Sequence, residues 1–112
     1  MSNLRNKVQL IGNLGNDPEI IEYELGKKLA RFSIATNESY KNKSGEWETN
    51  TEWHNIVAWG KLAERIESKI KRGNEVAIEG KLTNRSYDDK EGNKRYITEI
   101  VCNELLQLNK SN

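Results

Sequence analysis

Apolar residues in this chain recur mainly at every second position, and the clearest run is Thr51 to Gly60, TEWHNIVAWG. Strand side chains point to alternate faces, so Trp53, Asn55, Val57 and Trp59 share one face and His54, Ile56 and Ala58 the other. The two indoles, six residues apart, form an aromatic strip about 20 Å long at roughly 3.3 Å per residue. Such a strip suits either half of a hydrophobic core or a platform on which nucleobases stack, and taken alone it favours the core. Asn6 to Leu14 alternates in the same way, with Val8, Leu10 and Gly12 on one face. A glycine inside a strand predicts a bulge or a close backbone approach. Gly15-Asn16-Asp17-Pro18 has turn chemistry, Ile20 to Leu25 is a short strand, and Leu29 to Asn37 is a strand with Ala30, Phe32 and Ile34 inward. Ser39 to Asn50 is polar, with Tyr40 and Trp47 as isolated aromatics, and reads as a loop projecting from the body.

The period changes at Lys61 to Arg72. Leu62, Ile66 and Ile70 fall at four-residue spacing with Ala63 beside them, which is one face of a helix, and Gly73 stands where a C-cap belongs. Glu75 to Leu82 is a strand with Val76, Ile78 and Gly80 inward, continued by Asn84 to Tyr87. Asp88 to Asn93 is a turn, Lys94 to Cys102 the return strand, and Leu105, Leu106 and Leu108 close it. Three to four strands, one helix and then a β-hairpin, counted as five strands with the helix between the third and fourth, predict an all-β OB-fold, a five-stranded Greek-key barrel with its helix at about 61–72. The expected domain is 1–108, with 109–112 a short frayed C-terminus. Strands 2 and 3 of such barrels commonly bind oligonucleotides or oligosaccharides.

Composition narrows the chemistry. The chain has 112 residues, 35% apolar and 31% charged, which suits one domain with a small core. The net charge of +1 argues neither for nor against a polyanionic ligand, although residues 61–95 hold ten Lys/Arg against seven Asp/Glu while the first fifty balance at seven each. One histidine and one cysteine cannot make a tetrahedral zinc site, so no metal is expected. Gly12 to Gly15 lacks the Gly-Lys-Ser/Thr ending of a phosphate loop, and no cofactor is expected. Cys102 reads as a small buried hydrophobe. The N-terminus lacks the apolar run of a signal peptide, and no segment approaches transmembrane length, so a cytoplasmic location is expected.

Several segments resemble the bacterial single-stranded DNA-binding protein family. They are Asn6-Lys7-Val8, Gly12-Asn13-Leu14-Gly15-x-Asp17-Pro18-Glu19, Ala35-Thr36-x-Glu38-Ser39, Thr51-Glu52-Trp53-His54, Gly60-Lys61-Leu62-Ala63-Glu64, Gly73 and Ile78-Glu79-Gly80-Lys81-Leu82, with Arg95-Tyr96 and Thr98-Glu99 closing the series. They occur in the family's order and spacing over about residues 5–102. The resemblance implies an OB-fold, non-catalytic binding and protection of single-stranded DNA without sequence preference, work in replication, recombination and repair near the nucleoid, and usually a homotetramer. It puts the stacking positions on Tyr40, Trp53, Trp59 and Tyr87, where the family often has Trp at 40 and 87 and Phe at 59. It also puts His54, with Ile56 on the same face, at a subunit contact.

Trp47 has no clear family counterpart and divides between loop packing and DNA contact. Phosphate neutralisation needs cations along an aromatic track. Lys7, Lys61, Arg72, Arg85 and Arg95 are the leading candidates, with Lys41, Lys43, Lys71, Lys81 and Lys94 behind them. Arg85, two residues before Tyr87, is the first choice. The family usually carries a long tail with an acidic, hydrophobic tip that recruits replication and repair enzymes. This sequence ends in Asn109-Lys110-Ser111-Asn112, so recruitment of those partners is not expected of it. Two other readings stay open here. An OB-fold nuclease would need clustered carboxylates, for which Asp88, Asp89 and Glu91 are the nearest approach. A protein-interaction module would work without tight strand binding.

Overall fold

The computed structural model describes residues 5–108. Six strands and one helix follow in the order β1 (Val8–Leu14), β2 (Glu19–Tyr23), β3 (Lys27–Lys41), β4 (Trp47–Trp59), α1 (Gly60–Lys69), β5 (Glu75–Asp88) and β6 (Lys94–Gln107). Five of the strands close a ring: β1 pairs with β5, β5 with β6, β6 with β4, β4 with β3, and β3 with β1. All these pairs are antiparallel except β4–β6, where Ile56 faces Ile100 and Val57 faces Val101 in a short parallel ladder. The short β2 adds only to the β3 edge. This closed Greek-key barrel is the OB-fold that the element order predicts.

The interior is filled by the inward half of each alternating strand. Leu14, Phe32, Ile34, Ile56, Val76, Ile78, Ile100 and Leu105 form the core, with Ala63, Ile66 and Ile70 contributed from α1 and the residue that follows it. Cys102 belongs to the same cluster, and burial pushes its thiol up to about 11. Gly12 lies where β1 crosses β3, and a Cβ there would overlap the Ala35 carbonyl, so the close backbone approach expected at this glycine is present.

Two boundaries differ from the sequence expectation. The helix ends at Lys69 rather than at Arg72, because Ile70 is extended and turns its side chain into the core, and Gly73 falls in the following turn. Ser39 to Asn50 is not a loop. β3 and β4 stay paired out to Lys41 and Trp47, and only Asn42 to Glu46 make the turn. The period-2 apolar signal fails here because both faces of this arm are exposed, so nothing requires one of them to be apolar. The expected frayed segment 109–112 lies outside the described residues.

Candidate nucleic-acid interface

Directly paired residues on neighbouring strands share a face. The pairs Ala35–Trp53, Ser33–Asn55, Arg31–Val57 and Leu29–Trp59 lie on the outside of the barrel, while Ala30, Phe32, Ile34, Ile56 and Ala58 point in. This face continues across the parallel ladder through Val57–Val101 and onto the β5–β6 hairpin as Lys81–Val101, Thr83–Glu99, Arg85–Ile97 and Tyr87–Arg95. One continuous outer surface therefore carries Trp53, Trp59, Arg85, Tyr87 and Arg95. Trp53 is 60% and Trp59 49% exposed, which overturns the core reading of this strip.

Each indole has a seat. A Cβ on Gly15 would overlap the six-membered ring of Trp53, so the β1–β2 turn lies directly beneath the indole and only glycine fits there. The turn is tied to β3: the Gly15 N–H donates to the Ser33 carbonyl at 3.0 Å, and Asn16 Oδ1 accepts from the Ser33 N–H and hydroxyl at 3.0 and 2.9 Å. Trp59 is met edge-on by Tyr23, with ring centroids 5.5 Å apart and planes at 88°. Beside this strip, Asn16, Glu19, Arg31, Ser33, Asn55 and Glu99 line a shallow polar cleft of about 300 Å³.

The cations are less free than their exposure suggests. Arg85 donates through Nε and Nη2 to the two carboxylate oxygens of the buried Glu99, at 2.9 and 3.2 Å. That hydrogen bond and the glutamate charge raise the guanidinium pKa further. Arg95 donates to Asp89 at 2.9 Å. Asp89 also accepts the backbone N–H groups of Asn93 and Glu91 in the β5–β6 turn, and these bonds hold its carboxyl below the usual range. Lys81 lies on the same face, exposed and without an ion pair among the described residues.

Other expected site residues fall elsewhere. Lys7 is 3.6 Å from Glu79, beside a groove of about 910 Å³ lined by Gln9, Ile11, Ala77, Arg65, Glu104 and Leu106. Lys61 opens α1. The Arg72 backbone N–H donates to Asp17 at 2.8 Å, which sets Arg72 against the turn that seats Trp53. Tyr40 pairs with Glu48 and lies on the opposite face of β3 and β4 from the tryptophans, so the structure does not bring it to the strip. Ile56 is only 1% exposed within a single chain, inside the barrel core, and cannot offer its side chain to a second subunit. His54 is half-buried at the rim of that core, with Nε2 2.9 Å from the Thr36 hydroxyl. Gly15, Asn16, Tyr23 and Glu99 support the site through partners distant in sequence, and no local pattern marks those roles. Among the described residues no group of three His, Cys, Asp or Glu side chains is placed to hold a metal, and no helix is long and apolar enough to cross a membrane.

The barrel and its strip define an OB-fold protein with an aromatic outer face flanked by arginines. The single-strand binding protein family matches residues 5–108, and the chain belongs to that family. It is 52% identical over 104 residues to Single-stranded DNA-binding protein 1 of Chlorobaculum tepidum, covering 92% of this chain and 64% of that protein. It is 46% identical over 106 residues to Single-stranded DNA-binding protein 1 of Xylella fastidiosa, covering 94% and 78%. The chain thus spans just under two thirds of the length of the Chlorobaculum relative. Among solved structures, Plasmodium falciparum SSB in complex with ssDNA superposes with a TM-score of 0.87 at 30% identity, covering 97% of this chain and 99% of that one. A deletion mutant of the Thermus aquaticus single-stranded DNA binding protein shares the fold, with a TM-score of 0.79 at 23% identity over 93% of this chain and 50% of that one.

Proposed function

We propose that this chain binds and protects single-stranded DNA without sequence preference and without catalysis, as a cytoplasmic protein of replication, recombination and repair. The observation that carries this reading is the pair of exposed, seated indoles on one continuous barrel face. An exposed tryptophan held flat by a glycine beneath it presents a π-surface to any base, which explains tolerance of sequence. Tyr87 lies on the same face, and Arg85, Arg95 and Lys81 supply positive charge along it for phosphates. The names of the relatives, and the single strand bound by the Plasmodium neighbour, support the same ligand.

Titration of tryptophan fluorescence with oligo-dT at two salt concentrations tests the reading. Trp53→Ala is expected to weaken binding roughly 5- to 150-fold, since one base–aromatic stack is worth about 1–3 kcal/mol. Stacking carries no net charge, so the slope of log K against log salt stays unchanged. Unaltered affinity together with a stability loss of about 3–5 kcal/mol would instead mark Trp53 as a core residue. Turnover of labelled strands with a divalent metal would replace the binder with a nuclease.

Self-association is part of the same proposal. Ile11 and Leu106 are exposed apolar side chains lining the β1–β5–β6 groove, and Leu108 is exposed just past the end of β6. We assign the subunit contacts of a homotetramer to that surface and to the His54 rim, and no longer to Ile56. A monomer at micromolar concentration in sedimentation equilibrium would reject this.

A further inference from the structure

One row of directly paired residues crosses the outer face between the two indoles. It runs through Glu19 on β2, Arg31 on β3, Val57 on β4, Val101 on β6 and Lys81 on β5. The row meets β4 two residues from Trp59, roughly 7 Å at ~3.3 Å per residue, and four residues from Trp53. Its middle is apolar, with a cation on either side. Arg31 donates through Nη2 to Glu19 Oε1 at 2.9 Å. Both partners are open to solvent, with side chains 40% and 61% exposed. Arg85, by contrast, is held at two nitrogens by a carboxylate that is only 9% exposed. The two arginines face the same strip but differ in what holds them.

We infer that Arg31 is a phosphate contact of the bound strand, and that Glu19 is the carboxylate which a phosphate replaces on its guanidinium. The inference rests on the single-stranded DNA reading above. A guanidinium carries its N–H donors in a fixed fork that fits a phosphate at two nitrogens, and Glu19 engages only one. Exchange is easy here, because an ion pair in water contributes little stability and the released carboxylate returns to water. Arg85 lacks that freedom, since its departure would leave the buried Glu99 uncompensated. Arg31 also stands between Glu19 at the β2 edge and the tryptophan strand, so a move away from the edge is a move towards the strip. A base stacked on Trp59 then has a cation one row away for its phosphate.

The test uses the full chain, with binding to labelled oligo-dT followed by anisotropy over a range of salt. Arg31→Ala should lower the slope of log K against log salt by about 0.7, the share of one phosphate contact, which amounts to about fivefold in affinity at 0.1 M salt relative to 1 M. Arg31→Lys keeps the charge and should keep most of the slope. Glu19→Gln frees the guanidinium and should tighten binding by up to about fivefold, the most that an exposed pair holds back. In the Arg31→Ala background Glu19→Gln should change nothing. An unchanged slope in Arg31→Ala overturns the inference. So does a full effect of Glu19→Gln in the absence of Arg31, which would make Glu19 only a charge that repels the strand. A parent chain that binds no oligo-dT overturns the DNA-binding reading itself and this inference with it.

Discussion

Between residues 29–35 and 53–59, β3 and β4 turn one face into the core, burying Ala30, Phe32, Ile34, Ile56 and Ala58. Between residues 37–41 and 47–51 the same two strands, still in register, bury nothing. In the barrel, alternation separates apolar from polar side chains, because one face leaves water and each buried side chain gains roughly 1.5–3 kcal/mol by doing so. In the arm both faces stay wet, and alternation separates glutamates from tryptophan and lysine instead. One ladder geometry thus sorts residues by burial in one place and by charge in the other. The first sorting maintains the fold, and the second leaves the two faces of the arm unlike in charge.

The difference can be broken from the barrel side with the largest effect. Ile56→Ala should cost about 2–5 kcal/mol of stability through the cavity it leaves, read from denaturant melts. The folded fraction should keep its affinity for oligo-dT and its oligomeric state. Dissociation of the oligomer without loss of stability would return Ile56 to a subunit contact. No single substitution on the arm should approach that cost.

The barrel should also register pH where the arm does not. The Cys102 thiol titrates near 9.0 when unfolded and at about 11 when buried. The folded state therefore holds the proton more tightly than the unfolded one, and stability is full below about pH 9. It declines as pH rises towards 11, by about 2–3 kcal/mol at most, at roughly 1.4 kcal/mol per unit. Melts of the parent and of Cys102→Ala across that window measure the difference. Equal slopes for the two would show that the thiol is not the source.

The arm's sorting by charge is probed by placing a carboxylate on the face that has none. Thr49→Glu puts it between Trp47 and Trp53 and should weaken oligo-dT binding several-fold, most at low salt. Unchanged binding would mean that the strand does not reach that face of the arm. The smallest effect belongs to single cations on the barrel. Lys81→Ala should lower the salt slope by about 0.7, the share of one phosphate contact on a single strand. Arg85→Ala should lower it less, because its charge is already matched by Glu99, and should destabilise the fold by leaving that buried carboxylate without its partner.

Much was legible in the chain alone. Period-2 alternation gives the barrel strands, the Leu62–Ile66 spacing gives the helix, and Gly12 gives a close strand crossing. Trp53 and Trp59 necessarily share a face, whatever that face proves to do. What alternation cannot say is which face of β4 is inside, since Trp53, Val57 and Trp59 are as apolar as Ile56 and Ala58. Closure of the ring through β4–β6 and the packing of α1 decide it, because only one side of a closed sheet can be enclosed. The seat of Trp53 on Gly15, the hold of Glu99 on Arg85 and the separation of Tyr40 from Trp47 follow from register between distant strands. Each depends on pairing partners that a strand acquires only when the barrel forms, so local sequence carries no record of them.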